Sequence, residues 1–221
     1  MSFPTMTGEE VANALDPLYP RIKTPLRHEN VFQLLIATVL SAQTTDLQVN
    51  AVTPLLFGEY PDAAALSKAT IKALEKIVKS TGFFHVKARR IKQISEKICK
   101  DFHGEVPKSM EELLTLPGVG RKTANIVLSA GFDKIEGIAV DTHVLRLSRR
   151  IGLTEEKTPE KIELDLMKIT PKIMWPRLTL LLILHGRTIC FSRGPLCEKC
   201  VLSPKCYYFN NIRNQVVPPE K

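Results

Sequence analysis

The stretch Leu116-Pro117-Gly118-Val119-Gly120-Arg121-Lys122-Thr123-Ala124-Asn125-Ile126-Val127-Leu128 decides how the chain is read. Upstream, Ser109 with Glu112 spells a capping box, so a short helix begins near Met110 with Leu113, Leu114 and Leu116 as its apolar residues. Pro117 ends it, and Gly118 and Gly120 permit backbone angles and close approaches that a side chain would forbid. A second helix opens near Arg121 and is expected to bury Ile126, Val127 and Ala130 as far as Gly131. The product is helix, tight hairpin, helix, with free backbone N–H groups at Gly118, Val119 and Gly120 and at the second helix's start. Such a terminus attracts anions, and a nucleic-acid phosphate fits it without any reading of bases.

Lys122 is out of place by this logic, because it falls in a helix's first turn, where the macrodipole disfavours a cation. Two readings follow. It touches the same phosphate as a surface lysine, or it is an amine kept unprotonated so that it attacks carbon as a nucleophile. Hairpin spacing alone does not separate them.

Composition narrows the class. The 221 residues are enough for one large or two small domains with a packed core. Lys and Arg number 31 against 23 Asp and Glu, a net charge of +8 with pI near 9.3, which suits a polyanionic partner. Residues 1–20 contain Pro, Glu and Asp and lack the apolar run of a signal peptide. Leu34–Leu40 and Leu178–Leu184 are far shorter than the roughly 20 residues of a membrane span. They read as core helices, and the protein as intracellular, cytoplasmic and associated with the nucleoid.

Taken in order, Thr7 and Glu10 start a helix over about Gly8–Leu18. Val31–Leu40 is apolar on nearly every face and reads as a fully buried helix. The polar patch Ser41-Ala42-Gln43-Thr44-Thr45-Asp46 follows, on its plainest reading a turn with Asp46 as N-cap. Asp62 caps a short helix; Ile71, Leu74 and Val78 mark another; Ile91, Ile94 and Ile98 mark the next, with Cys99 as a buried small hydrophobe. Between the last two lies Thr81-Gly82-Phe83-Phe84-His85-Val86-Lys87-Ala88, whose paired phenylalanines read most simply as core plugs. Ile138-Ala139-Val140-Asp141-Thr142-His143 leads into a helix carrying Arg146, Arg149 and Arg150, a phosphate face or partners in ion pairs. Thr158 and Pro159 start one more helix. No repeat, low-complexity segment or alternating strand pattern interrupts the series, and the fold class is all-α.

Four of the five cysteines crowd into the spacing C-x6-C-x2-C-x5-C, at Cys190, Cys197, Cys200 and Cys206. Thiolates bind zinc or iron–sulfur clusters, and this pattern suits a metal site in a reducing compartment better than a disulfide scaffold. Structural zinc sites place two close pairs far apart in sequence. Here there is one close pair, and all four cysteines fall within 17 residues, which wraps a more compact object. The segment His185–Arg213 is basic, with Arg187, Arg193, Lys199, Lys205 and Arg213 against Glu198. Arg193, on a loop pinned by Cys190 and Cys197, is well mounted for a phosphate.

Together LPGVGRKTANIVL, VDTHVLR, LSAQTTD, LHGR and the four-cysteine spacing resemble the endonuclease III family, helix-hairpin-helix DNA glycosylases with an iron–sulfur cluster. The match extends from about residue 30 to 206. The resemblance implies two all-α domains flanking a DNA-binding cleft: a helical barrel over 24–134, and a [4Fe–4S] cluster domain combining 1–23 with 135–221. It implies removal of oxidised or ring-saturated pyrimidines from double-stranded DNA, followed by cleavage at the abasic site, by one chain per lesion. Carried over, Lys122 matches the nucleophile, Asp141 the catalytic carboxylate, and Gln43 the residue filling the gap left by a flipped nucleotide. The cysteines match the cluster ligands. Phe83 stands where the family often has a wedging leucine, and it retains the wedge with stronger stacking. His143 reads as a structural hydrogen bonder, with a proton relay as the alternative, and His185 and Arg187 as buttresses of the cluster domain. An adenine-mismatch glycosylase would lack the hairpin lysine and carry a further C-terminal domain, whereas this chain ends 15 residues after Cys206. A pyrimidine-dimer glycosylase shares the pattern. A non-catalytic helix-hairpin-helix module needs neither Asp141 nor Gln43.

Overall fold

The computed structural model describes residues 4–20 and 24–213, without the side chains of Ile212 and Arg213. The basic Arg213 side chain therefore lies outside the described residues. The helices run in the order α1 (Gly8–Leu15), α2 (Val31–Leu40), α3 (Asp46–Glu59), α4 (Ala63–Lys68), α5 (Ile71–Val78) and α6 (Phe84–Asp101). After these come α7 (Met110–Leu114), α8 (Arg121–Phe132), α9 (Thr142–Ile151), α10 (Pro159–Lys168) and α11 (Trp175–Thr188). Among the described residues no strand occurs, so the all-α fold is observed. No described helix is long and apolar enough to cross a membrane.

The chain divides into two compact units, Thr24–Glu136 and Met1–Lys23 with Gly137–Lys221. The first is built on α2, where every residue from Phe32 to Leu40 is buried. Around it close Leu56, Leu66, Leu74, Ile91, Ile94, Ile98, Leu113 and Val127. Burial on all sides explains why α2 carries no polar stripe. In the second unit α11 is the central element, packing on α9 and α1 through Leu178, Leu181 and Leu182.

Side-chain caps set most boundaries. Thr7 and Glu10 make the full reciprocal box, and Asn30, Thr45, Asp62 and Thr70 each accept a backbone N–H three residues on. Several sequence expectations need correction. The first helix is α-helical only to Leu15 and finishes as a 3-10 turn over Asp16–Leu18, because Pro17 removes a donor. Thr45, not Asp46, caps α3. At α7 only half of the capping box forms: Ser109 Oγ accepts from the Glu112 N–H, and the Glu112 carboxylate bonds the Ser109 hydroxyl. Leu114 is exposed, Cys99 is half-buried, and Ala130 is exposed while α8 continues to Phe132.

Candidate functional site

The hairpin forms as its glycines require. Gly118 has φ of 73°, and the Val119 N–H donates to the Leu116 carbonyl at 3.1 Å. A Cβ at Gly118 would fall 2.2 Å from Arg90 Nε, so a larger residue would have to displace the Arg90 side chain as well as bear the strain of the positive φ. Val119 is buried and anchors the turn. Gly120 is the N-cap of α8 and has no side chain to satisfy the helix's first N–H groups, and no acidic residue occupies the first turn. A helix start of this kind attracts anions, although the Val119 N–H, expected to be free, is used inside the turn on the Leu116 carbonyl. Arg121 and Lys122 are exposed in the same turn, while Ala124, Asn125, Val127 and Leu128 face the core.

Asp141 is the N-cap of α9. Its Oδ1 accepts from the backbone N–H groups of His143 and Val144, both at 2.8 Å, and the side chain is half-buried. Two short bonds fix one carboxylate oxygen. Among the described residues its second oxygen accepts no hydrogen bond. His143 Nδ1 lies 3.2 Å from Arg146 Nη2, the structural bond expected of it, and burial lowers the imidazole pKa.

Gln43 and Phe83 share a backbone peculiarity. Both are non-glycine residues in the left-handed region, with φ of 53° and 47°. Such a conformation costs a bulky residue about 1–2 kcal/mol and persists only where its surroundings enforce it. Phe83 is 65% exposed, so it is not a core plug; Phe84 alone packs against the core. The left-handed turn at Phe83, as N-cap of α6, rotates one ring outward and lets the next turn inward. Gln43 is also exposed.

Beside both loops lies a residue that local spacing did not single out. Lys87 is only 4% exposed. Its ammonium donates to Thr44 Oγ1 at 2.5 Å and to the Thr81 carbonyl at 2.7 Å, and the Thr44 hydroxyl donates to that same carbonyl. Burial lowers the Lys87 pKa. A signal existed: Lys87, Ile91, Ile94 and Ile98 fall on one helical stripe, so a lysine occupies an apolar register.

The four cysteines line one pocket with Arg150, His185 and Leu202. All four are free of disulfides. His185, 1% exposed, sets Nε2 at 3.2 Å from Cys200 Sγ and Nδ1 at 3.2 Å from the Tyr19 hydroxyl. Burial pushes the Cys206 thiol up to about 11, raises that of Cys200, and holds His185 down at about 4. Arg150 Nη1 lies 3.6 Å from Cys190 Sγ and donates to the Phe191 carbonyl at 2.6 Å, while Nη2 donates to the Ser192 carbonyl at 2.8 Å. Arg146 donates to the carbonyls of Gly186 and Cys190. The expectation of a phosphate face or ion pairs fails for these two arginines, which fasten the cysteine loop to α9. Arg149 and Arg193 are exposed. Among the described residues no group of three or more His, Cys, Asp or Glu side chains is set to hold a single metal ion.

Residues 36–172 match the model of the HhH-GPD superfamily of base excision DNA repair proteins. The endonuclease III of Synechocystis is 50% identical over 197 residues, covering 89% of this chain and 90% of that protein. That of Thermotoga maritima is 41% identical over 91% of this chain and 92% of its own length. The chain belongs to the endonuclease III family. Among solved structures, a trapped endonuclease III–DNA covalent intermediate superposes with a TM-score of 0.88 at 36% identity, covering 96% of this chain and all of the other. A thermostable thymine-DNA glycosylase superposes with a TM-score of 0.82 at 25% identity over 91% of this chain and 96% of the other.

Proposed function

We propose that this member of the endonuclease III family is a bifunctional DNA N-glycosylase and abasic-site lyase. Its substrates are oxidised or ring-saturated pyrimidines in duplex DNA, and Lys122 and Asp141 do the chemistry. The observation that carries the reading is the glycine-capped start of α8, where an anion site and the exposed Lys122 share one helical turn. A base inside a duplex is out of reach, so the nucleotide is turned out, and a damaged base unstacks at lower cost. Gln43 and Phe83 fill the vacated space. The Lys122 amine attacks the sugar C1′, the glycosidic C–N bond breaks, and the base departs with a proton. Asp141 presents its second oxygen as negative charge for the cationic sugar of the transition state. The lysine–sugar adduct opens to a Schiff base, which acidifies the C2′ proton; its loss expels the 3′ phosphate oxygen by β-elimination.

Cys190, Cys197, Cys200 and Cys206 would hold a [4Fe–4S] cluster. They fit it by lining one pocket with nitrogen donors beside two of the sulfurs, Arg150 at Cys190 and His185 at Cys200. Bound there, the cluster supplies a rigid tie across residues 190–206, and Arg193 on that loop holds a phosphate. The purified protein is expected to show a broad visible absorption from the cluster. Zinc, with a filled d shell, is colourless, and a colourless protein containing zinc would remove the cluster. Arg193→Ala should weaken DNA binding and flatten the plot of log K against log salt by about 0.9 for one lost phosphate contact. An unchanged slope would take Arg193 out of the interface. The overall reading is tested by a panel of duplexes, each with one defined lesion, scored separately for base release and for strand cleavage. Release of intact pyrimidines alone, or no release at all, would overturn it.

A further inference from the structure

Lys87 is costly for what it does as packing. A lysine almost never goes fully inside without a carboxylate, because desolvating an ammonium is expensive. Here its partners are two neutral oxygens, the Thr44 hydroxyl and the Thr81 carbonyl. If stability were the only demand, a methionine of similar length would fill the space without that cost. The two partners belong to different loops, 43 and 6 residues away in sequence. The first loop carries Gln43 and the second Phe83, both in left-handed backbone and both exposed. The Thr44 hydroxyl closes the triangle by donating to the Thr81 carbonyl. Behind the bracket, the Thr81 hydroxyl donates to the Val78 carbonyl at 2.7 Å, tying the second loop to the end of α5. In front of it, the N–H groups of Val86 and Lys87 donate to the Phe83 carbonyl, both at 3.0 Å. Phe83 is thus held from the helix that also supplies the lysine.

We propose that Lys87 is a positioning residue for strand opening: its buried ammonium locks the Gln43 loop to the Phe83 loop, so that both side chains enter the duplex as one rigid unit. This rests on the reading of Gln43 and Phe83 as the residues that fill the vacated space. A flexible pair would pay the ordering entropy of two loops at every insertion. A bracketed pair meets the DNA already arranged, and a displacement of about 1 Å from such an arrangement is enough to cost about 100-fold in rate.

The bracket is tested by two reactions that differ in their need for it. Base release from a duplex requires strand opening, whereas cleavage of a single-stranded abasic oligonucleotide requires only the amine. Lys87→Met is expected to lower single-turnover base release from a lesion duplex about 100-fold. Single-strand cleavage should stay near wild type, and so should the salt slope of duplex binding. Thr44→Val, which removes one corner of the triangle from a half-exposed turn, should lower base release about tenfold, the size of one lost charged hydrogen bond. It carries the test should Lys87→Met not fold. 2-Aminopurine placed opposite the lesion should show less wedge-dependent unstacking in both variants. Equal losses in the two reactions, or wild-type base release by folded Lys87→Met or Thr44→Val, would overturn the proposal. So would a flattened salt slope in Lys87→Met with normal Thr44→Val, since the lysine would then act by charge. Gln43→Ala and Phe83→Ala are measured alongside. If they release base at the wild-type rate, the reading of those two residues has failed; if they are slow and Lys87→Met is not, the bracket alone has failed.

Discussion

Lys122→Gln is expected to abolish borohydride trapping of the protein on a lesion duplex and to lower base release by about 10⁴-fold or more, the scale set by removal of a covalent nucleophile. Glutamine keeps much of the length and helix propensity of lysine and lacks only the amine. The residue is exposed in the first turn of α8, and a surface substitution of this kind changes stability by no more than about 0.5 kcal/mol. Duplex binding should weaken modestly, because one cation leaves a turn whose backbone N–H groups remain. The competing view, in which Lys122 only touches a phosphate, forecasts the reverse: intact trapping, modest loss of rate and a flatter salt slope. Trapping by Lys122→Gln at the wild-type level would assign the chemistry to another amine.

Asp141→Asn separates the charge of that residue from its structural work. Asp141 caps α9 through two bonds to one oxygen, and asparagine caps a helix as well as aspartate does. The fold should survive, losing the carboxylate's attraction for the helix dipole, about 0.3–1 kcal/mol. That lowers the melting temperature by about 1–4 °C for a chain of this size. Base release should fall about 10²–10³-fold, the range for one preorganised electrostatic group, while lesion-duplex affinity persists. Asp141→Ala should lose the same activity plus about 1 kcal/mol of helix capping. Thermal melting beside single-turnover kinetics checks both. If Asp141→Asn releases base at the wild-type rate, the residue is a helix cap and nothing more.

Arg146 and Arg150 show how site residues were misjudged from sequence. Four positions apart on a basic helix, they read as a face for phosphates or partners in ion pairs, yet their donors are used on the carbonyls of Gly186, Cys190, Phe191 and Ser192. Those acceptors lie 40 to 44 residues away, beyond what local spacing reveals. The plainest reading of Phe83, a core plug, fails for a related reason. Composition favours burial of phenylalanine, and only the left-handed backbone at residue 83 turns the ring to solvent.

What the residues determined unaided is whatever depends on neighbours a few positions away. Caps at Thr7, Asp62 and Ser109, the apolar register of Ile91, Ile94 and Ile98, the glycines at 118 and 120 and the cysteine spacing all act within one or two turns of chain. They suffice for the all-α fold, the hairpin and the cysteine-rich segment. Tertiary structure alone decided that Lys87 is buried under two loops, that Gln43 and Phe83 stand in strained backbone above it, and that two arginines of α9 hold the cysteine loop. Each depends on a hydrogen bond between groups distant in sequence, and desolvation makes such a bond imperative only after the chain has closed around it.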